Sequence, residues 1–131
     1  NESTSTFTET FRLETDGDLH ADGNVIAYST TISDERLKTD IERIDGALDK
    51  VCALSGYTFT YKHDGKASAG VVAQEVEKVL PSAVIEKELA FQGDDEAYKI
   101  VQYDQLHGLL IEAIKEQQEQ INELKALLEA K

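Results

Sequence analysis

From Asp104 to Lys131 the chain contains no proline and a single glycine, Gly108. Such a run predicts one long helix, spanning roughly 42 Å at about 1.5 Å per residue. Within it Ile114, Ile121 and Leu128 recur at every seventh residue, Leu110 and Leu124 fill the complementary positions, and Gln117 lies between them. That is the seam of a coiled coil with one polar layer. It covers only about three heptads, too few to hold unaided. Ile and Leu in this arrangement do not fix the number of strands, and a buried Gln is compatible with a trimer. The alternative is an amphipathic helix lying on its own domain. The Glu-, Gln- and Lys-rich far end favours the coiled coil.

Composition agrees with a chain that needs partners. Forty per cent of its residues are hydrophobic, but it has no Trp or Met and few aromatics. That allows a small core, aided by oligomerisation. The formal net charge of −13 repels phosphate backbones and anionic lipid, which argues against nucleic-acid and membrane-surface partners. No apolar run approaches the roughly 20 residues of a membrane span. Asn1 to Thr10 is rich in Ser and Thr with no basic residue, so it is no signal peptide, and it reads as a cut from a longer protein. Cys52 is the only cysteine and is expected to be a small buried hydrophobe on the face of Ile44, Leu48 and Val51. His20, His63 and His107 lie far apart without paired ligand spacing, so neither a metal nor another cofactor is expected.

The remainder divides in two. Residues 1–32 are rich in Thr, Ser, Gly and Asp. Phe7 to Leu13 alternates as a strand, two Asp-Gly turns follow at 16–17 and 22–23, and Val25-Ile26-Ala27-Tyr28 comes after them. Such short strands could close a core by wrapping identical chains around one axis; an ordinary hairpin is the alternative. Residues 33–102 should form a mixed domain. Thr39-Asp40-Ile41-Glu42 is a capping box and predicts a helix from there to about Leu54. Tyr57 to Tyr61 alternates as a strand, and His63 to Lys66 is a turn. Val71 to Leu80 predicts a second helix with Val72, Val76, Val79 and Leu80 inward, ended by Pro81. Residues 83–86 and 98–101 read as paired strands. The excursion between them, Lys87 to Ala97, is longer than a tight turn needs and suggests a protruding arm.

Chemistry is sparse. Glu75, Glu77 and Lys78 read as a solvated helix face, and Asp94-Asp95-Glu96 lacks the spacing of a calcium loop. The informative stretch is Ser33-Asp34-Glu35-Arg36-Leu37-Lys38-Thr39-Asp40-Ile41. Ser33 precedes the capping box and is not needed as a helix cap. A serine hydroxyl becomes a nucleophile when a base takes its proton, and Lys38 is the candidate base. An ordinary lysine with pKa near 10.4 is only about 0.04% neutral at pH 7. Burial or a neighbouring cation lowers that value, and Arg36 is a candidate cation. By itself, a Ser and a Lys five apart is commonplace.

The stretch at 33–41 resembles the opening motif of the intramolecular chaperone of endosialidase, the peptidase S74 family. Gly70-Val71-Val72-Ala73-Gln74-Glu75-Val76 with Leu80-Pro81 resembles the family's second motif, and Val101-Gln102-Tyr103-Asp104-Gln105-Leu106 its third. The motifs stand in the family's order. Gly17-Asp18-Leu19 and Asn24 to Ser29 are similar to the last turns of the triple β-helix that such chaperones follow.

The resemblance implies an α+β fold: a small mixed domain, a long C-terminal helix in a trimeric coiled coil, and a short β-rich segment, the end of a triple β-helix, in front. It implies a homotrimer whose partner is the upstream stalk of its own pre-protein, in a phage tail spike, tail fibre or neck appendage. It further implies a self-cleaving serine peptidase with Ser33 and Lys38 as dyad and the Ile32–Ser33 bond as cleavage site. The product would be a virion component assembled in the host cytoplasm, with the chaperone released after cleavage. The competing expectation is a permanently attached trimerisation or host-contact tip.

Overall fold

The structure, a computed structural model, describes residues 11–131. Its contacts divide the chain into two compact units.

The first unit is drawn from residues 11–39 and Glu88–Glu96. Strands β1 (Phe11–Leu13) and β2 (Leu19–Ala21) form an antiparallel hairpin with Phe11 opposite Ala21 and Leu13 opposite Leu19. The turn forms where Asp16-Gly17 predicts it. Gly17 has φ of +96°, a region that disfavours side chains, and its N–H donates to Glu14 O at 3.0 Å. The expected strand begins at Phe7; residues 7–10 lie outside the described ones. Val25 to Tyr28 forms no strand in the single chain, and Ile26 and Tyr28 stand fully in solvent.

The second unit, residues 40–87 and 97–131, holds the core. Its helices are α1 (Ala47–Cys52), α2 (Ala73–Val79) and α3 (Leu106–Glu129), and its strands are β3 (Tyr57–Thr60), β4 (Ala67–Gly70), β5 (Val84–Glu88) and β6 (Ala97–Val101). β3 pairs antiparallel with β4, and β5 is the neighbour of β6 in a separate two-stranded sheet. Ala47, Val76, Ala83, Leu106, Leu109 and Ala113 are buried together, flanked by Ile44, Leu48, Val51, Leu54, Val71, Leu80, Val84 and Val101. The mixed α and β content and the long last helix agree with the expected class.

Several expectations need correction. The capping box starts no helix: Asp40 has φ of +53°, outside the helical region, and α1 opens only after Gly46, itself left-handed at φ +59°. Ile41 is therefore exposed, although Ile44, Leu48 and Val51 do pack on the core. Cys52 is exposed: it is the last residue of a helix shorter than expected. Val72 is not inward; it precedes α2 as its extended cap residue and is 38% exposed. The helix stops before Pro81, as the residue preceding a proline avoids helical geometry. β4 carries no strand signal in Ala67-Ser68-Ala69-Gly70 and forms as the partner of β3. A Cβ at Gly70 would collide with Tyr103 Oη, which accepts the Val71 N–H at 3.1 Å.

Helix α3 presents two different faces. Leu106, Leu109 and Ala113 are buried, and Glu116 Oε2 accepts the Leu48 N–H at 3.1 Å. The heptad face of Leu110, Ile114, Ile121, Leu124 and Leu128 is exposed instead, with Ile114 at 63% and Leu128 at 70%. The helix thus lies on its own domain along its first turns, but not with the residues of the seam. Leu109 is fully buried. Leu109→Ala is expected to destabilise the domain by about 2–5 kcal/mol, read as a lowered unfolding midpoint.

Candidate functional site

The site is the segment Ile32–Lys38 of the first unit. Asp34 is extended, with φ −65° and ψ 131°, and its side chain accepts the N–H of Arg36. A single 3-10 turn follows over Glu35–Leu37, held by Leu37 N–H to Asp34 O at 3.0 Å and Lys38 N–H to Glu35 O at 3.1 Å. Lys38 then leaves the turn in extended geometry. The turn shortens the path between positions 33 and 38, since a 3-10 step rises about 2.0 Å against about 3.3 Å for extended chain. Lys38 Nζ consequently donates to Ser33 Oγ at 2.7 Å. Ser33 and Lys38 are exposed, and Ile32 is 81% exposed.

Arg36 does not serve as the free cation considered above. Its Nε donates to Asp34 Oδ1 at 3.1 Å and its Nη2 to Asp34 Oδ2 at 2.9 Å. This fork-to-fork pairing neutralises the guanidinium locally. The side-chain bond to Arg36, followed by its backbone N–H, holds the Asp34 carboxyl below the usual carboxylate range, and Asp34 in turn raises Arg36. A carboxyl depressed in the folded state stabilises above its unfolded pKa, and that contribution fades only as pH falls through the lowered value. The Asp34–Arg36 pairing therefore persists throughout the neutral range.

Other residues are placed differently from expectation. Glu75 is not simply solvated: its Oε2 accepts the Tyr57 hydroxyl at 2.6 Å, while its Oε1 is buried without a hydrogen-bond partner. Glu77 and Glu86 share Lys99 Nζ at 3.0 and 3.3 Å. Asp94 Oδ1 caps its own turn by accepting the Glu96 N–H. Glu14, Asp18 and His20 bring ligand-type atoms within 4.8 Å of one another, a cluster that histidine spacing alone could not reveal. Its Glu14 is bound to Arg12 at 3.0 Å, so the hairpin supplies a positive charge of its own. Among the described residues no helix is long and apolar enough to cross a membrane.

With this geometry in view, comparison with known proteins is informative. The profile of the peptidase S74 family, described as the chaperone of endosialidase, matches residues 33–85, so the match opens on Ser33 itself. The long tail fiber protein Gp37 of Enterobacteria phage M1 is 36% identical over 126 residues, covering 90% of this chain and 49% of that protein. Gp37 of Salmonella phage S16 is 33% identical over 96% of this chain and 18% of its own length. Gp37 of Enterobacteria phage T2 is 37% identical over 92% of this chain and 9% of its own length. The chain thus spans about half, or much less, of the curated relatives it matches.

Proposed function

Residues 33–85 belong to the chaperone-of-endosialidase family, and from that premise we propose that this chain is the folding device of a phage tail fibre, which cuts itself free at the Ile32–Ser33 bond. The observation that carries the reading is the 2.7 Å contact of Lys38 Nζ with Ser33 Oγ at the start of the family match.

Residues 1–32 are the end of a β-helical stalk, residues 33–102 the chaperone and autoprotease domain, and residues 103–131 the coiled-coil helix. Three copies join through the open heptad face of α3, which gathers apolar side chains that the chain itself leaves in water. The Lys87–Ala97 excursion is the arm; the grouping of its Glu88–Glu96 stretch with residues 11–39 in one compact unit favours that role. A clamp of three chains raises local concentration and sets register, the slow and error-prone step of winding strands from separate chains.

The chemistry needs a neutral lysine. In the single chain the pair is open to water. Covering it with neighbouring chains removes that water, and desolvation favours the uncharged amine. Lys38 Nζ then takes the Ser33 Oγ proton as Oγ attacks the Ile32 carbonyl carbon through a five-membered ring. The Ile32–Ser33 C–N bond breaks, and the lysine ammonium returns the proton to the leaving nitrogen. Water hydrolyses the resulting ester, leaving an Ile32 carboxylate and a free serine hydroxyl. The stalk is then trapped in its final register, because the device that set it has gone.

The test is to produce the full-length parent fibre and compare native and denaturing gels. Release of a piece that begins at Ser33 from a folded trimer is expected. An intact chain in a well-folded trimer would leave the permanently attached tip as the function.

A further inference from the structure

We propose that Asp34 and Arg36 form a positioning clamp that holds Lys38 against Ser33. The inference rests on the Ser33–Lys38 reading for its meaning in cleavage, but its geometry can be tested separately. Lysine is the least constrained side chain to choose as a base, with four rotatable carbons and a strongly hydrated head. The contact at 2.7 Å therefore needs a reason to persist in water. The backbone between the two residues provides it. Asp34 Oδ1 accepts both the Arg36 N–H at 2.9 Å and the Arg36 Nε–H at 3.1 Å, while Oδ2 accepts Nη2 at 2.9 Å. One side chain thereby ties the start of the 3-10 turn to its middle, and the turn's two backbone bonds carry that order on to Lys38.

The pair is exposed: the Arg36 side chain is at 84% and that of Asp34 at 44%. Exposed ion pairs are individually weak, so the cap bond, not the ion pair, should dominate. Glu35, Arg36 and Leu37 bury no side chain, so burial does not explain this pairing. Its effect is confined to the shape of the segment between the serine and the lysine.

In the parent fibre, Asp34→Ala is expected to slow cleavage about tenfold, without changing the trimer. Asp34→Asn keeps an oxygen for the Arg36 N–H and loses the charged fork, so a loss of only about threefold is expected. A second readout does not depend on cleavage. In the 131-residue chain carrying Ser33→Cys and Cys52→Ala, the pH midpoint of thiol alkylation reports the cation beside position 33. Intact mass shows alkylation and any cleavage together. The midpoint should rise when Lys38→Met is added, and it should be higher with Asp34→Ala than with Asp34→Asn, two variants that remove the same charge and free Arg36 alike. Equal midpoints in the two Asp34 variants, or an unchanged rate with Asp34→Ala in a parent that does cleave, overturn the clamp. Midpoints that differ in this order while the wild-type parent never cleaves leave the clamp standing and remove the autoprotease.

Discussion

Ser33→Ala is expected to leave the parent fibre uncut while its trimer assembles and folds as before. The residue is exposed and belongs to no core, so its hydroxyl can be removed at little structural cost. What disappears is the attacking atom of the proposed reaction. Lys38→Ala should come close to the same result, because a positioned general base contributes about 10²–10⁴-fold. Lys38→Arg is a sharper comparison. Arginine keeps the cation and can still donate to Oγ, yet it cannot give up a proton in water. If the lysine only orients the serine, the arginine variant should cleave. If it is the base, that variant should be as inactive as alanine. Denaturing gels over a time course read all three.

The second large effect is expected at the heptad face. Ile121 is 46% exposed and Leu124 60% exposed in the single chain, so aspartate at either position removes little from the fold of one chain. In a trimeric seam the same change would bury three carboxylates at one level, against a desolvation penalty of several kcal/mol for each ion. Ile121→Asp should therefore convert the assembly to monomers, with the α1–α3 core of each chain intact. Light scattering during size exclusion measures the mass, and circular dichroism should show partial loss of helix from the unsupported end of α3. Glu123→Lys, outside the heptad positions, is the control and should change neither. Cleavage should fail in the monomeric variant as well, since the Ser33–Lys38 pair would remain in water. Cleavage by a monomer would separate the chemistry from assembly.

The long helix was legible because its signal is local: absence of Pro, one Gly, and a seven-residue repeat. It starts at Leu106, two residues later than the expected Asp104, because Tyr103–Gln105 form a 3-10 turn in front of it. The sequence could not show which residues of the same helix meet the domain, because Leu106, Leu109 and Ala113 lie beside the seam and look equally apolar. The first helix failed for the opposite reason. A capping box is only a local preference, and the positive φ at Asp40 together with Gly46 moved the start to Ala47. β4 had nothing to read, since two alanines, a serine and a glycine carry no strand preference; its place depends on β3 and on Tyr103, more than thirty residues later.

The candidate site was legible as residue types and spacing. Its geometry was not, because the four residues between Ser33 and Lys38 permit many distances. The 3-10 turn selects one of them, and the Asp34 side chain that caps it also removes Arg36 from the role of activating cation. Glu75 was misread for a related reason. Helical periodicity gives its place on α2, but its partner Tyr57 comes from a strand eighteen residues earlier.

The central claim is cleavage at one bond, and the mass of the released C-terminal piece of the full-length parent tests it most directly. The account predicts a fragment beginning at Ser33, with a free amino group there and a matching stalk that ends in an Ile32 carboxylate. A fragment with any other first residue, or a folded trimer from which no fragment is released, would contradict it.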